Sequence, residues 1–149
     1  MPPFDQEIKS SKFTSEQQKA MLNIIFTGNW LLHLHAGYLK SFDLSPQQYN
    51  ILRILRGQSA PMTMNQIKCR MLDKTPNMTR LADKLMKKEL LDRIRCNKDR
   101  RVVFLEINDS GLELLDKIDI QWSNQYRPEF KLSDEEAFIV NQLLDKMRS

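Results

Sequence analysis

The chain has 149 residues, the length of one ordinary domain or of a small domain with an added oligomerisation element, so no second domain is expected. Its hydrophobic content of 41% and charged content of 28% are typical of a soluble globular protein. No apolar run approaches the roughly 18 residues of a membrane span, and the segment 1–15 lacks the apolar core of a secretory signal. We therefore expect a cytoplasmic protein.

Cysteine and histidine are too sparse for a metal site or a disulfide framework. The two cysteines, Cys69 and Cys96, match no zinc spacing. His33 and His35 lie two positions apart on an expected helix, so they point to different sides and cannot chelate one ion together. We expect no metal and no cofactor.

The first long helix is predicted to begin at the capping box Thr14–Gln17, in which Thr14 is the N-cap. Its apolar positions continue to about Phe42. About 28 residues of helix span roughly 40 Å, which is too long for one small core. Part of this helix is therefore expected to pack on another subunit.

Three shorter helices are predicted next. Ser45–Gln48 is a capping box with proline at the first helical position, and this helix should end at Gly57. Thr63–Gln66 opens a helix that runs to about Leu72, and Thr75–Pro76 opens the following one. Two short helices separated by a turn of a few residues form a helix-turn-helix.

Beyond Leu90 the apolar pattern alternates, which predicts two short strands around a polar turn. Helical periodicity returns after Asn108, a good N-cap, and continues to about Tyr126 before Pro128. A last helix is capped by Ser133. The predicted fold is mainly α with a small β-hairpin wing, in which the hairpin follows the helix-turn-helix to give a winged helix.

Positive charge is concentrated in one window. Residues 74–101 contain ten basic and four acidic side chains, a net charge of +6, whereas the whole chain is +4 and the remainder is therefore −2. Clustered basic charge indicates a polyanion as partner. A solvated helix face is the alternative explanation for the same charges.

Three stretches of the sequence resemble the MarR family of transcriptional regulators. Leu44–Leu52 is similar to the opening of the family's second helix, and Thr75–Leu85 is similar to its recognition helix. Asp99–Arg101 together with Ile107–Gly111 matches the wing signature, an Asp-x-Arg followed by a helix-opening turn with glycine. The resemblance covers nearly the whole chain.

The resemblance implies a homodimer that binds double-stranded DNA at a palindromic operator. Residues 1–43 and 112–149 would form the helical dimerisation region, and residues 44–111 would form the DNA-binding lobe. Asp99 would orient the wing while Arg101 enters the minor groove, although a plain salt bridge within the turn also accounts for this pair. The expected DNA-binding residues are Thr75, Asn77, Thr79, Arg80, Lys84, Lys98, Asp99, Arg100 and Arg101.

The resemblance also implies a ligand pocket between the dimer helices and the lobe. Trp30, His33, Tyr38 and Tyr49 are the candidate lining residues, and they suit a small aromatic or phenolic effector. Core packing is the alternative role for each of them.

The expected function is that of a DNA-binding regulator, most simply a repressor, under the control of such an effector. The alternative is a winged helix that docks on proteins without specific DNA binding. No phosphate-binding glycine loop or paired nucleophile and base supports an enzyme.

Two positions depart from the family pattern. Glu89 stands where glycine is usual after the recognition helix, so a modified turn is expected there, because a left-handed backbone costs about 1 kcal/mol or more at a residue other than glycine. Asn108 replaces the usual threonine, which is conservative for an N-cap.

Overall fold

The computed structural model describes residues 2–9, 12–73, 77–95, 102–126 and 131–149. The described residues are mostly helical and include a three-stranded antiparallel sheet, which confirms the predicted fold class. None of their helices is long and apolar enough to cross a bilayer. The elements are α1 (Phe4–Glu7), α2 (Glu16–Lys40), α3 (Pro46–Gln58), β1 (Met62–Thr63), α4 (Met64–Arg70), α5 (Met78–Lys87), β2 (Leu91–Arg95), β3 (Val103–Ile107), α6 (Asp109–Gln121), a π-helical turn (Trp122–Tyr126) and α7 (Asp134–Arg148).

Most predicted helix starts are confirmed. Ser45, Thr63 and Ser133 each accept a hydrogen bond from a backbone N–H three residues on, and the side chain at that third position bonds back to the backbone N–H of the cap. Asn108 caps α6 by accepting from the Gly111 N–H at 3.0 Å. These caps satisfy backbone donors that have no partner within the helix.

The predicted start of α2 is wrong by one residue. Ser15, not Thr14, is the N-cap, and its side chain accepts from the Gln18 N–H at 3.1 Å. Gln18 reaches back to Thr14, whose N–H and hydroxyl both donate to its Oε1 at 2.7 and 2.8 Å. The two adjacent residues are both good caps and each is followed three residues later by glutamine, so the sequence pattern alone did not distinguish them.

The predicted end of α3 at Gly57 is also wrong. Helix α3 continues through Gly57 to Gln58, and Ser59 takes the left-handed conformation with φ of 51°. The Ser59 N–H bonds to the Leu55 carbonyl and its hydroxyl donates to the Arg56 carbonyl at 3.2 Å. These bonds stabilise the turn without glycine.

The sheet positions the wing. Strands β2 and β3 pair antiparallel from Leu91 opposite Ile107 to Arg95 opposite Val103, as the alternating pattern predicts. The sequence did not predict β1, whose residues Met62 and Thr63 pair with the other edge of β3. The two strands of the hairpin are thereby tied to the start of α4.

One apolar core joins the helices to the sheet. Its fully buried members come from five helices and from β3, so the orientation of α5 is set by the packing of its buried face. They are Leu39, Ile51, Leu52, Leu55, Ile67, Met71, Leu85, Leu105, Leu115 and Ile118.

Apolar side chains on α2 and α7 are exposed in the single chain. None of the residues of α7 is buried, and Phe138 and Leu143 are 61% and 60% exposed. On α2, Ile25 and Leu32 are 55% and 61% exposed. Several large apolar side chains exposed on one helix are typical of an interaction surface.

Candidate nucleic-acid interface

Helix α5 begins two residues later than the sequence suggested. Asn77 is the N-cap, and its Oδ1 accepts from the backbone N–H of Arg80 at 3.1 Å. The prediction that Thr75–Pro76 opens the helix is therefore wrong, because asparagine is as good a cap as any and lies directly before the helix. Thr75 and Pro76 themselves lie outside the described residues.

The two faces of α5 differ sharply in character. Met78, Ala82 and Leu85 are buried in the core. Thr79, Arg80 and Lys84 are exposed on the other face, and with Asn77 they border a shallow depression that also includes Asp83 and Lys87. The packing therefore holds a polar, basic face of the helix toward solvent.

The structure brings together four of the nine predicted DNA-binding residues. Asn77, Thr79, Arg80 and Lys84 share the exposed face of α5, whereas Thr75, Lys98, Asp99, Arg100 and Arg101 lie outside the described residues. Lys87 belongs to the same depression and was not predicted. Its position three residues after Lys84 would have identified it, since residues three apart lie on one helix face.

Two further basic residues stand on the wing strand. Arg93 and Arg95 are exposed on β2 and are two positions apart, so they point to one side of the hairpin. Both belong to the basic window 74–101 but are not among the expected DNA-binding residues. Because residues two positions apart on a strand lie on the same face, the predicted strand already placed Arg93 and Arg95 side by side.

The C-terminal end of α5 keeps the backbone geometry that glycine would favour. Glu89 has φ of 58°, the Leu90 N–H bonds to the Leu85 carbonyl and the Glu89 N–H bonds to the Met86 carbonyl. This is a Schellman motif with glutamate at the left-handed position. The expected modified turn is therefore wrong, because the surrounding contacts impose the left-handed conformation despite its cost.

Those contacts come from the start of α6. Asn108 donates from Nδ2 to the Glu89 carbonyl at 3.0 Å while its Oδ1 caps α6. A Cβ added to Gly111 would lie 2.4 Å from the Leu90 carbonyl oxygen and 2.7 Å from Ile107 Cγ1. The absence of a side chain at Gly111 thus allows α6 to pack against the end of the recognition helix.

An ion pair joins the ends of α2 and α5. Lys88 Nζ lies 2.6 Å from Asp43 Oδ2 and also donates to the Asp43 backbone carbonyl. Asp43 itself has a positive φ of 55° in the turn after α2. The long helix and the recognition helix are therefore connected at their C-terminal ends.

A separate cavity of about 340 Å³ lies between α2, α3 and the residues after α4. Of the predicted lining residues only Tyr49 belongs to it. His33 is exposed, Trp30 lines a different depression near Phe4, and Tyr38 is buried with its hydroxyl donating to the Ile118 carbonyl at 2.6 Å. The lining residues are Leu32, His35, Pro46, Gln47, Tyr49, Asn50, Arg53, Met71, Leu72 and Asp73.

His35 and Arg53 are among the polar residues that line this cavity, and the sequence did not indicate them. The His35 ring packs edge-on against Tyr49 at 5.4 Å and Trp122 at 5.8 Å. Burial lowers the pKa of His35 and the charge of Arg53 lowers it further. Burial likewise raises the pKa of Tyr49. Near neutral pH the cavity therefore presents a neutral imidazole, a phenol and the guanidinium of Arg53, which lies 5.8 Å from the Tyr49 ring.

Known proteins resemble this chain in sequence and in structure. The MarR family model matches residues 44–103. A solved MarR transcription factor from Planctomyces limnophilus is 33% identical, with a TM-score of 0.66 over 92% of this chain and 98% of that one. The HTH-type transcriptional regulator YhbI of Bacillus subtilis is 27% identical over 80% of this chain and 69% of its own length.

A further solved structure shares the fold. A mutant MarR from E. coli, complexed with operator DNA, is 21% identical and has a TM-score of 0.76 over 92% of this chain and 99% of that chain.

Proposed function

Because the chain belongs to the MarR family of transcriptional regulators, we propose that it binds a palindromic operator as a homodimer and represses transcription in the cytoplasm of a bacterial cell. A small aromatic effector would modulate that binding. The observation that carries the proposal is the exposed polar face of α5, held outward by its buried Met78, Ala82 and Leu85. A helix of this kind fits the major groove, where its side chains can contact base edges and phosphates.

Within the proposed interface, the side chains divide by chemistry. Arg80 and Thr79 stand near the N-terminal end of α5, the part of a recognition helix that contacts bases. Lys84 and Lys87 lie one and two turns further on, and their ammonium groups suit phosphate oxygens. The Oδ1 atom of Asn77 accepts the capping hydrogen bond from Arg80, so its Nδ2 group is the part of the side chain that would contact DNA.

The wing supplies the second proposed contact. Strands β2 and β3 are paired as far as Arg95 and Val103, so residues 96–102 connect the ends of a hairpin. We assign Arg101 to the minor groove, whose negative potential attracts arginine, with Asp99 as its orienting partner. Lys98 and Arg100 would contact the neighbouring phosphates, as would Thr75 before α5.

The homodimer rests on the exposed apolar faces of α2 and α7. Side chains such as Ile25, Leu32, Phe138 and Leu143 are more than half exposed in one chain, and a second copy would bury them. We propose residues 1–43 and 112–149 as the dimerisation region and 44–111 as the DNA-binding lobe. The two regions share one hydrophobic core, because Leu39, Leu115 and Ile118 of the dimerisation region pack with core residues of the lobe.

The effector site is the cavity that His35, Tyr49 and Arg53 line. An aromatic ring would stack among the rings and a carboxylate or phenolate would pair with Arg53. Because the cavity lies between the long helix and α3, an occupant can change the orientation of the lobe relative to the dimerisation helices. That change would alter the spacing of the two recognition helices on DNA.

Fluorescence anisotropy tests the proposed function. Labelled duplex from upstream of this protein's own gene is titrated at several salt concentrations, with a scrambled duplex of equal length and composition as control. Selective binding with a steep salt slope supports the proposal, since each phosphate contact contributes about one unit to that slope. Weak binding that is equal for the two duplexes, repeated with duplexes selected from random sequence, would contradict it and favour a protein-docking module.

A further inference from the structure

A second groove lies beside α5, between the C-terminal end of α2 and the N-terminal end of α3. Its volume is about 660 Å³, which is within the usual range for a ligand site of roughly 300–1,000 Å³. We call it the lysine groove, because four of its lining residues are lysines. The lining residues are Ala36, Lys40, Asp43, Leu44, Ser45, Pro46, Gln48, Lys84, Lys87 and Lys88.

Positive charge in the lysine groove exceeds what the surrounding residues balance. Among the described residues, Asp43 is the one acidic side chain that lines the groove, and it pairs with Lys88. Lys40, Lys84 and Lys87 form no ion pair with any residue that the structure describes. Lys84 also stands three and four positions before Lys87 and Lys88, spacings at which like charges repel along a helix. An anion in the groove would relieve that repulsion.

A buried donor in the groove wall also lacks a partner. Gln48 is 5% exposed, and its Oε1 accepts from the Ser45 N–H at 2.9 Å. Its Nε2 has no acceptor among the described residues. Buried amide donors are nearly always hydrogen-bonded. This one is closed to solvent, so an anion in the groove would reach it only after a small rotation of the Gln48 side chain. Gln48 belongs to the first turn of α3, where backbone partial charge is positive as well.

Helix ends account for only part of the lysine cluster. Lys40 is in the last turn of α2, and Lys84 and Lys87 are in the last turn of α5, where the helix dipole favours cations. The dipole of each helix explains a lysine at its own C-terminal end. It does not explain why the Gln48 amide lacks an acceptor. The unpartnered amide and the convergence of lysines from two helices on one concavity are independent observations that favour the same chemistry.

We propose that the lysine groove binds a small polyanion with phosphate or carboxylate groups, and that the bound anion weakens DNA binding. Lys84 and Lys87 line both this groove and the depression on the proposed DNA-binding face. Their ammonium groups cannot serve an anion and a DNA phosphate fully at the same time. The anion site stands without the proposed function, whereas its effect on DNA rests on it.

Isothermal titration calorimetry with inorganic pyrophosphate tests the site on the full-length chain without DNA. Lys40→Gln removes a groove charge that is not on the DNA-binding face, and Lys146→Gln removes an exposed charge from α7 as the matched control. We expect saturable binding that Lys40→Gln weakens about tenfold, as for the loss of one charged hydrogen bond, and that Lys146→Gln leaves unchanged. No saturable binding by the wild type, or equal weakening by the two variants, would overturn the proposal.

DNA anisotropy then distinguishes a free anion from a DNA phosphate in the groove. Pyrophosphate should raise the wild-type Kd for DNA at constant ionic strength, and Lys40→Gln should reduce that rise without changing the Kd in its absence. If Lys40→Gln alone weakens DNA binding and lowers the salt slope, the groove holds a DNA phosphate and the small-anion proposal is overturned. If the wild type shows no selective DNA binding, the proposed function fails while the calorimetry still decides the anion site.

Discussion

Replacing Gly111 with alanine tests how α6 supports the recognition helix. Gly111 is in the first turn of a helix, where alanine is normally favoured over glycine by about 1 kcal/mol. Here the added Cβ would lie 2.4 Å from the Leu90 carbonyl oxygen and 2.7 Å from Ile107 Cγ1, and neither the backbone nor a packed side chain can move freely. Overpacking of this kind costs about 1 to 3 kcal/mol or more, so the sign of the effect should reverse.

Gly57→Ala is the matched control, because it is also within a helix but a Cβ there has no neighbour within 4 Å. Urea denaturation at one fixed protein concentration measures both variants, since dimerisation makes apparent stability depend on concentration. We expect Gly111→Ala to be destabilised by about 1 to 3 kcal/mol and Gly57→Ala to gain up to about 1 kcal/mol. A Gly111→Ala protein as stable as the wild type would refute the inferred close packing.

Four further predictions concern the turn, the wing and the cavity. Glu89→Gly should stabilise the protein by about 0.5 to 1 kcal/mol in urea denaturation, because it relieves the left-handed backbone at φ 58°; a loss of stability would contradict this. Asn108→Asp keeps the cap oxygen but loses the donor to the Glu89 carbonyl, and should cost about 1 kcal/mol in the same assay, whereas an unchanged midpoint would exclude a role for that bond. Arg101→Ala should weaken specific DNA binding by about 1 to 3 kcal/mol in anisotropy with the dimer intact by light scattering; unchanged affinity would remove the minor-groove assignment. Folding lowers the pKa of His35, so below pH 6.5 the unfolded chain binds more protons than the folded chain, and the stability of the protein should fall as the pH falls. In thermal melts over that pH range, His35→Asn should lose less stability than the wild type. Parallel curves of stability against pH for the two proteins would contradict this.

The sequence predicted features that depend on neighbouring residues. The N-caps Ser45, Thr63 and Asn108 could be predicted because each side chain accepts a hydrogen bond from a backbone N–H only three residues further on. Near Thr14 and Thr75 a second good cap lies one or two residues further on, and the local pattern did not show that Ser15 and Asn77 would be used. The hairpin strands were likewise evident from alternation alone.

Features that depend on long-range packing were not predictable. The pairing of Met62 with Leu105 in β1 joins residues far apart in sequence, and two residues carry no periodicity. Either histidine could face α3, and only the docking of α2 on the core selects His35 over His33. At Glu89 the local rule gave the wrong answer. The cost of a left-handed backbone at a residue other than glycine predicted an altered turn, but the contacts that Asn108 and Gly111 make with this turn hold the left-handed conformation.

The central claim is that the exposed face of α5 contacts specific DNA, and Arg80 tests it most directly. Its backbone N–H, not its side chain, makes the bond to Asn77, so Arg80→Ala leaves the helix cap intact. Arg148→Ala on α7 is the control for loss of one arginine. Against the duplex selected by the wild type, we predict that Arg80→Ala raises the Kd about tenfold or more while Arg148→Ala leaves it unchanged. Wild-type affinity and selectivity in Arg80→Ala would contradict the account.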